Sequence, residues 1–329
     1  MGMELRSLWE HVEFYIGALV TLVAAWSFYV FKLRRLLPPG PFPLPIIGNL
    51  HLLGRLPHQA LAALSLKYGS LMSLRLGSTG VTLVLSSGDM AEEFLKTHDL
   101  IFASRFSSPP IRCLSYNSSD VALAPYGPYW RQMRKVCVLQ LLSSRRIDSF
   151  RFIREEEVSA MISSINTNAN DSRPPINISK TVSALTNAII CKIAFGRKYS
   201  DEEIIGSTGF DSLVKDTLLL LGSFNIGDYI PYLAWIDDLR GINRRLKNVH
   251  KAQEHFLEKV LEEHVNAPND PNVTPDLVDV LLEASADKDM QLQITRDNIK
   301  AVLFVSCQFS CTVFYKYIYM IINLYMILY

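Results

Sequence analysis

From Pro128 to Phe304, apolar residues recur three or four positions apart in segments near 128–141, 147–166, 179–195, 209–222, 240–266, 274–286 and 295–304. That spacing puts the apolar side chains of each segment on one helical face, which leaves water only by packing against other elements. Short polar or proline-containing breaks, such as Asn168 to Pro175 and Ala267 to Pro275, separate the segments. Strand signals are confined to the N-terminal part. Leu71 to Leu76 and Val81 to Leu85 flank Gly77–Gly80 and predict a hairpin. Leu56 to Tyr68, closed by Gly69, and a short stretch after Ser87 predict helices. Asp99 to Gly127, with Pro109, Pro110 and Asn117 to Ser119, reads as a long irregular segment, a length that compact domains keep for functional loops. The expected fold class is mainly α with a small β-sheet (α+β).

Ahead of this body, Phe14 to Phe31 is an uncharged and mostly apolar run. As a helix it spans roughly 27 Å, just short of a bilayer core of about 30 Å. Lys32, Arg34 and Arg35 follow it and can snorkel to the interface. Pro38, Pro39, Gly40 and Pro41 then make a stiff hinge. The basic residues after the span, against Glu4, Glu10 and Glu13 before it, place the body in the cytosol. A cleavable signal peptide is the alternative. It fits less well, because the basic residues follow the run and no small-x-small site precedes the prolines. The expected organisation is an anchor and basic stop over 1–35, a proline-rich hinge over 36–50, a main domain over 51–304 and a hydrophobic tail over 305–329.

Composition excludes several function classes. With 33 basic and 32 acidic residues the formal charge is +1, so no global field draws in nucleic acid. The five cysteines (Cys113, Cys137, Cys191, Cys307, Cys311) are odd in number and form no C-x-x-C pair, which suits a reducing compartment rather than a disulfide framework. No H-E-x-x-H and no phosphate-binding loop occurs. His250, Glu254 and His255 resemble a metal cluster, and Asp276, Asp279 and Glu283 resemble paired catalytic carboxylates. Both groups read instead as solvated helix faces.

Leu114 through Lys135, which contains Pro125-Tyr-Gly-Pro-Tyr-Trp-Arg-Gln-Met-Arg134, closely resembles the plant microsomal cytochrome P450 family. Leu37 to Pro41, Pro45 to Leu50, Phe102 to Arg105 and Asp276 to Leu282 match the same family in the same order. The resemblance runs from about residue 10 to Phe304, and Phe106 departs from it where the family has proline. It implies the N-terminal portion of the P450 fold behind an anchor in the endoplasmic reticulum membrane. It also implies haem b held by a cysteine thiolate. Oxygen would be inserted into a small apolar substrate, with electrons from NADPH–cytochrome P450 reductase and membrane lipid as a further partner. Trp130 and Arg134 match the residues that bind a haem propionate, and their spacing of four puts them on one helical face. The alternative is an amphipathic helix that buries Trp130 and displays Arg131, Arg134 and Lys135. Ile111, Leu114 and Val121 fall in the family's first substrate-contacting loop, with ordinary packing as the alternative. Thr217 to Phe224 falls at a further substrate-facing helix.

The family's later motifs do not follow residue 304. The small-residue Asp-Thr stretch, the Glu-x-x-Arg pair and the Phe-x-x-Gly-x-Arg-x-Cys-x-Gly loop do not occur in this sequence. Cys307 and Cys311 lack the flanking glycines and arginine of that loop and are not expected to ligate iron, so no catalytic or metal residue is assigned. From Phe314 to Tyr329 only Phe, Tyr, Lys, Ile, Met, Asn and Leu occur. Two readings stand for this tail: translated non-coding sequence beginning at Val305-Ser306, or a second membrane segment over Phe309 to Tyr329. The 329-residue chain is expected to be inactive by itself. A non-catalytic truncated remnant or a membrane-bound interaction protein is the alternative.

Overall fold

The computed structural model describes residues 15–17, 20–21, 24–28, 31, 36–170, 176–199, 210–266, 274–286 and 293–306. The described residues between 15 and 31 are helical, and the basic stop at 32–35 lies outside the described set. So does nearly all of the expected tail, including Cys307 and Cys311.

Along the chain come α1 (Pro57–Tyr68), the strands β1 (Leu71–Arg75) and β2 (Val81–Leu85), α2 (Gly88–Glu92) and α3 (Asp99–Phe102). Next are α4 (Pro109–Leu114), α5 (Pro128–Val136), α6 (Ser144–Ser149), α7 (Arg151–Asn170), α8 (Ile178–Phe195) and α9 (Phe210–Leu221). Short helices α10 (Ile226–Tyr229) and α11 (Trp235–Leu239) precede the 25-residue α12 (Ile242–Asn266), then α13 (Leu277–Ala286) and α14 (296–306). The expected fold class holds: the body is mainly helical with one two-stranded sheet among the described residues. The chain divides into two compact units. One comprises Met1–Phe102 with Asn225–Leu239, and the other comprises Ala103–Phe224 with Arg240–Tyr329.

The first unit is built on the hairpin. β1 and β2 pair antiparallel from Leu71↔Leu85 to Arg75↔Val81. Met72 and Leu74 point to the buried face, as the two-residue period requires. The segment expected to be a hinge is tied to this sheet. Ser73 N donates to the Pro39 carbonyl at 2.9 Å, and Asn49 N donates to the Arg75 carbonyl at 2.6 Å. The buried Asn49 amide accepts from Arg75 N at 2.9 Å and donates to the Phe42 carbonyl at 3.2 Å. Gly77 must be glycine: its φ is +70°, and a Cβ there would lie 2.1 Å from the Tyr229 carbonyl oxygen.

The second unit is helical throughout. Asn177 caps α8 by accepting from Lys180 N at 2.9 Å, and Gly196 ends it at φ +71°. Among the described residues α8 is the one helix long and apolar enough to cross a membrane. Its Cys191, Ala194 and Phe195 are buried in the core, the other role such a composition serves. Phe195, Phe210, Tyr199 and Phe256 form the centre of that core. Phe256 lies 5.5 Å edge-on from Phe195, 5.1 Å edge-on from Tyr199 and 5.4 Å from Phe210. Edge-on rings set positive rims against negative faces and add to the gain from burial. Asp99 to Gly127 is more ordered than expected. Ser108 Oγ accepts from Ile111 N at 3.3 Å, and Pro109 occupies the first turn, so α4 forms inside the expected loop.

Phe256→Ala removes the ring shared by all three neighbours and is expected to cost about 3–5 kcal/mol, against under about 0.5 for the exposed Phe152→Ala. Chemical denaturation of the two variants checks the contrast.

Candidate functional site

α5 starts at Pro128, whose missing N–H costs nothing in a first turn. The helix buries Met133 and Val136, half-buries Tyr129 and Trp130, and exposes Arg131, Arg134 and Lys135. Its aromatic pair grips the preceding loop by the backbone. Trp130 Nε1 donates to the Val121 carbonyl at 2.8 Å, and Tyr129 OH donates to the Ser119 carbonyl. Between these clamps the buried Asp120 carboxylate accepts from Ala122 N and Leu123 N, each at 2.7 Å. Burial, with Asp120 nearby, pushes the Tyr129 hydroxyl up to about 12, so it stays protonated and donates.

The Arg134 guanidinium lies over the Trp130 ring, 5.2 Å from its centroid, and the Arg131 guanidinium lies 5.7 Å from that of Tyr126. Tyr126 in turn tilts against Trp130 at 5.5 Å. Among the described residues no carboxylate pairs with Arg134. The structure thus joins Trp130, Arg134 and Val121 in one patch. Leu114 is buried in the core, Val121 packs against that core from its edge, and Ile111 is half-buried on α4.

Sequence reasoning missed a polar cluster beside this loop and misread the residues in it. Glu254 keeps 40% of its side chain exposed but is also engaged: it accepts from Tyr116 OH at 2.8 Å and from Lys300 Nζ at 2.5 Å. His250 is half-buried, its ring 5.6 Å from that of Tyr116. His255 alone of that trio is exposed as expected. Lys300, with 5% of its side chain exposed, also reaches Glu258 at 2.5 Å. Burial lowers its pKa, but Glu254 and Glu258 outweigh that and hold it above the ordinary lysine value. A lone lysine among Ile299, Val302 and Leu303 was the signal available in the sequence.

Asp276 needs the same correction. It is buried and forms a reciprocal cap with Asp279, each backbone N–H donating to the other's carboxylate at 3.0 Å. His264 Nε2 lies 2.7 Å from Asp276 Oδ2, and its Nδ1 lies 2.7 Å from the Val260 carbonyl. Burial depresses the imidazole pKa, but those two acceptors and the Asp279 charge raise it to about 9. The ligand atoms of His264, Asp276 and Asp279 lie within 4.8 Å of one another, and the Asp276–Asp279 pair caps α13.

The cytochrome P450 family profile matches residues 38–306. The chain belongs to the cytochrome P450 family. It is 46% identical over 272 residues to cytochrome P450 71A26 of Arabidopsis thaliana, covering 83% of this chain and 53% of that relative. It is 43% identical over 267 residues to an indoleacetaldoxime dehydratase of the same plant, covering 81% and 52% respectively. The chain spans about half the length of the curated relatives it matches. A zebrafish cytochrome P450 solved with progesterone shares the fold with a TM-score of 0.57 at 20% identity, over 76% of this chain and 55% of that one.

The family implies a haem, and the described residues of this P450 chain fit one edge of it. Arg134, exposed and without a carboxylate partner among them, suits a propionate. The Trp130 N–H points at Val121, so it reaches a propionate only by sharing or exchanging that bond. Among the described residues the cysteines are Cys113, Cys137 and Cys191, and none lies in a Phe-x-x-Gly-x-Arg-x-Cys-x-Gly sequence. Burial pushes the Cys137 thiol up to about 11 and raises that of Cys113, and Cys191 is buried in the core.

The His264 shift gives a signed pH dependence. A raised folded pKa contributes stability that is fully present below the unfolded value of about 6.5 and is lost as pH rises through about 9. Thermal unfolding measured from pH 6 to 10 is expected to fall across that window, and Asp276→Asn to flatten the fall.

Proposed function

We propose that this chain supplies the N-terminal half of the catalytic body of a membrane-bound haem-thiolate monooxygenase. It would insert one oxygen atom from O2 into a small apolar substrate with electrons from NADPH–cytochrome P450 reductase. The observation that carries this reading is Arg134, a cation seated on Trp130 with no carboxylate among the described residues, inside the stretch that matches the family. Arg134 binds and orients a haem propionate, and Trp130 holds the helix against Val121 so that the guanidinium is aimed. The haem itself, when bound, activates oxygen. Ile111 and Val121 line the substrate side of the 109–121 segment, with Leu114 behind them in the core. The Phe-x-x-Gly-x-Arg-x-Cys-x-Gly loop does not occur in the 329-residue chain, and we propose that it is inactive alone. The relative named as a dehydratase is a reminder that similar sequence does not carry the substrate over.

A charge-assisted Arg–carboxylate bond is worth about 1.5–3 kcal/mol, roughly tenfold to a hundredfold in affinity. In a chimera completed with the C-terminal half of the Arabidopsis 71A26 relative, Arg134→Ala is expected to weaken haem binding by that factor, measured by haem titration. Equal haem affinity in the two proteins would remove Arg134 from the haem. The 329-residue chain alone is expected to show no ferrous–CO band of thiolate ligation.

The same reading places the body on the cytosolic side of the endoplasmic reticulum, behind an anchor at 14–31. Asn117, Asn170, Asn177 and Asn272 each begin an Asn-x-Ser/Thr sequon, and a lumenal body would present them for glycosylation. All four are expected to remain unmodified. A mass decrease on glycosidase treatment of microsomal protein would reverse the orientation.

A further inference from the structure

Immediately after α4 the backbone does something rarely tolerated by ordinary side chains. Tyr116, Asn117 and Ser118 all take positive φ, at 50°, 60° and 59°. Each L-residue in that region brings its Cβ against its own backbone, and three in a row without a glycine persist only if the surroundings hold them. Local hydrogen bonds do part of this. Asn117 N donates to the Arg112 carbonyl at 2.7 Å, Ser118 N to Ser115 Oγ at 2.9 Å, and Ser119 N to the Ser115 carbonyl at 2.9 Å. These bonds tie the turn to the end of α4.

Outside the turn, α5 holds the Ser119 and Val121 carbonyls through Tyr129 and Trp130, and a further restraint comes from two other helices. Glu254 on α12 accepts from Tyr116 OH at 2.8 Å and from Lys300 Nζ on α14 at 2.5 Å. Lys300 Nζ in turn lies over the Tyr116 ring, 6.0 Å from its centroid. The Glu254 carboxylate therefore bridges the tyrosine and the lysine. One position earlier on α12, the fully buried Gln253 donates to the Leu114 carbonyl at 3.0 Å, fixing the end of α4 from the same helix. Lys300 has a compelling reason to keep Glu254 in place, because a nearly buried ammonium is costly without its carboxylates. That carboxylate is thus oriented by Lys300 before it meets Tyr116.

We propose that Tyr116, Glu254 and Lys300 are a latch that holds the strained 116–118 turn closed. The proposal stands on the geometry alone. These are positioning residues: none of them is placed at the haem edge.

The test is hydrogen exchange over 112–121, read by mass spectrometry on the full 329-residue chain. Tyr116→Phe keeps the ring and removes only the hydroxyl. It is expected to speed exchange of the Asn117, Ser118 and Ser119 amides about tenfold or more, with α12 still protected. Lys300→Met should act in the same direction through Glu254. Adding Ser118→Gly to Tyr116→Phe should restore most of the lost protection, because glycine takes positive φ without strain. Unchanged exchange at 117–119 in Tyr116→Phe overturns the latch, as does a uniform rise across α12 and α14.

Discussion

Phe256, Leu257, Val260 and Leu261 have no exposed surface, and every functional feature of the second unit leans on the α12 face they form. Burying each such side chain contributes about 1.5–3 kcal/mol. An isolated amphipathic helix has little other source of order, since its stability comes mostly from what its apolar face covers. α8 brings Phe195 to that face, α9 brings Phe210, Leu213 and Val214, and α14 brings Ile299, Val302 and Leu303. The same core includes Leu114, Met133 and Val136, so the end of α4 and the body of α5 are positioned by the packing that stabilises the unit.

Apolar contact is non-directional, and a helix can slide along a greasy face at modest cost. The polar residues on α12 remove that freedom. Lys300 reaches both Glu254 and Glu258, one helical turn apart, and Arg296 bonds Glu258 at 2.5 Å. A shift of α14 by a turn would strand a nearly buried ammonium. Buried ion pairs add little net stability, and their best-attested use is to penalise wrong registers. The pair formed by His264 and Asp276 has a similar place at the start of α13, where it fills the gap that glycine leaves at 196. A Cβ at that position would lie 2.9 Å from Asp276 Oδ2.

The helical segments were legible because periodicity is local: three or four residues decide which side chains share a face. The hairpin was legible for the same reason, with its turn marked by Gly77 and Gly80. α4 was missed although Ser108 before Pro109 is an ordinary helix start, because the surrounding Ser, Asn and Pro residues read as loop. Trp130 and Arg134 were singled out through motif resemblance. Their spacing correctly put them on one face, but nothing in it showed that the indole N–H would be taken by Val121.

The sequence by itself determined the class of fold, the family and the cationic face of α5, since each depends on neighbours within a few positions or on a contiguous motif. Only the tertiary structure decided which charged residues are solvated and which are committed. Asp276 meets His264 across 12 residues, Lys300 meets Glu254 across 46, and Tyr116 meets Glu254 across 138. A carboxylate on a helix face looks the same in sequence whether water or a buried lysine lies opposite. The difference is set by how α12, α14 and the 115–121 loop pack, and packing is a property of the whole chain.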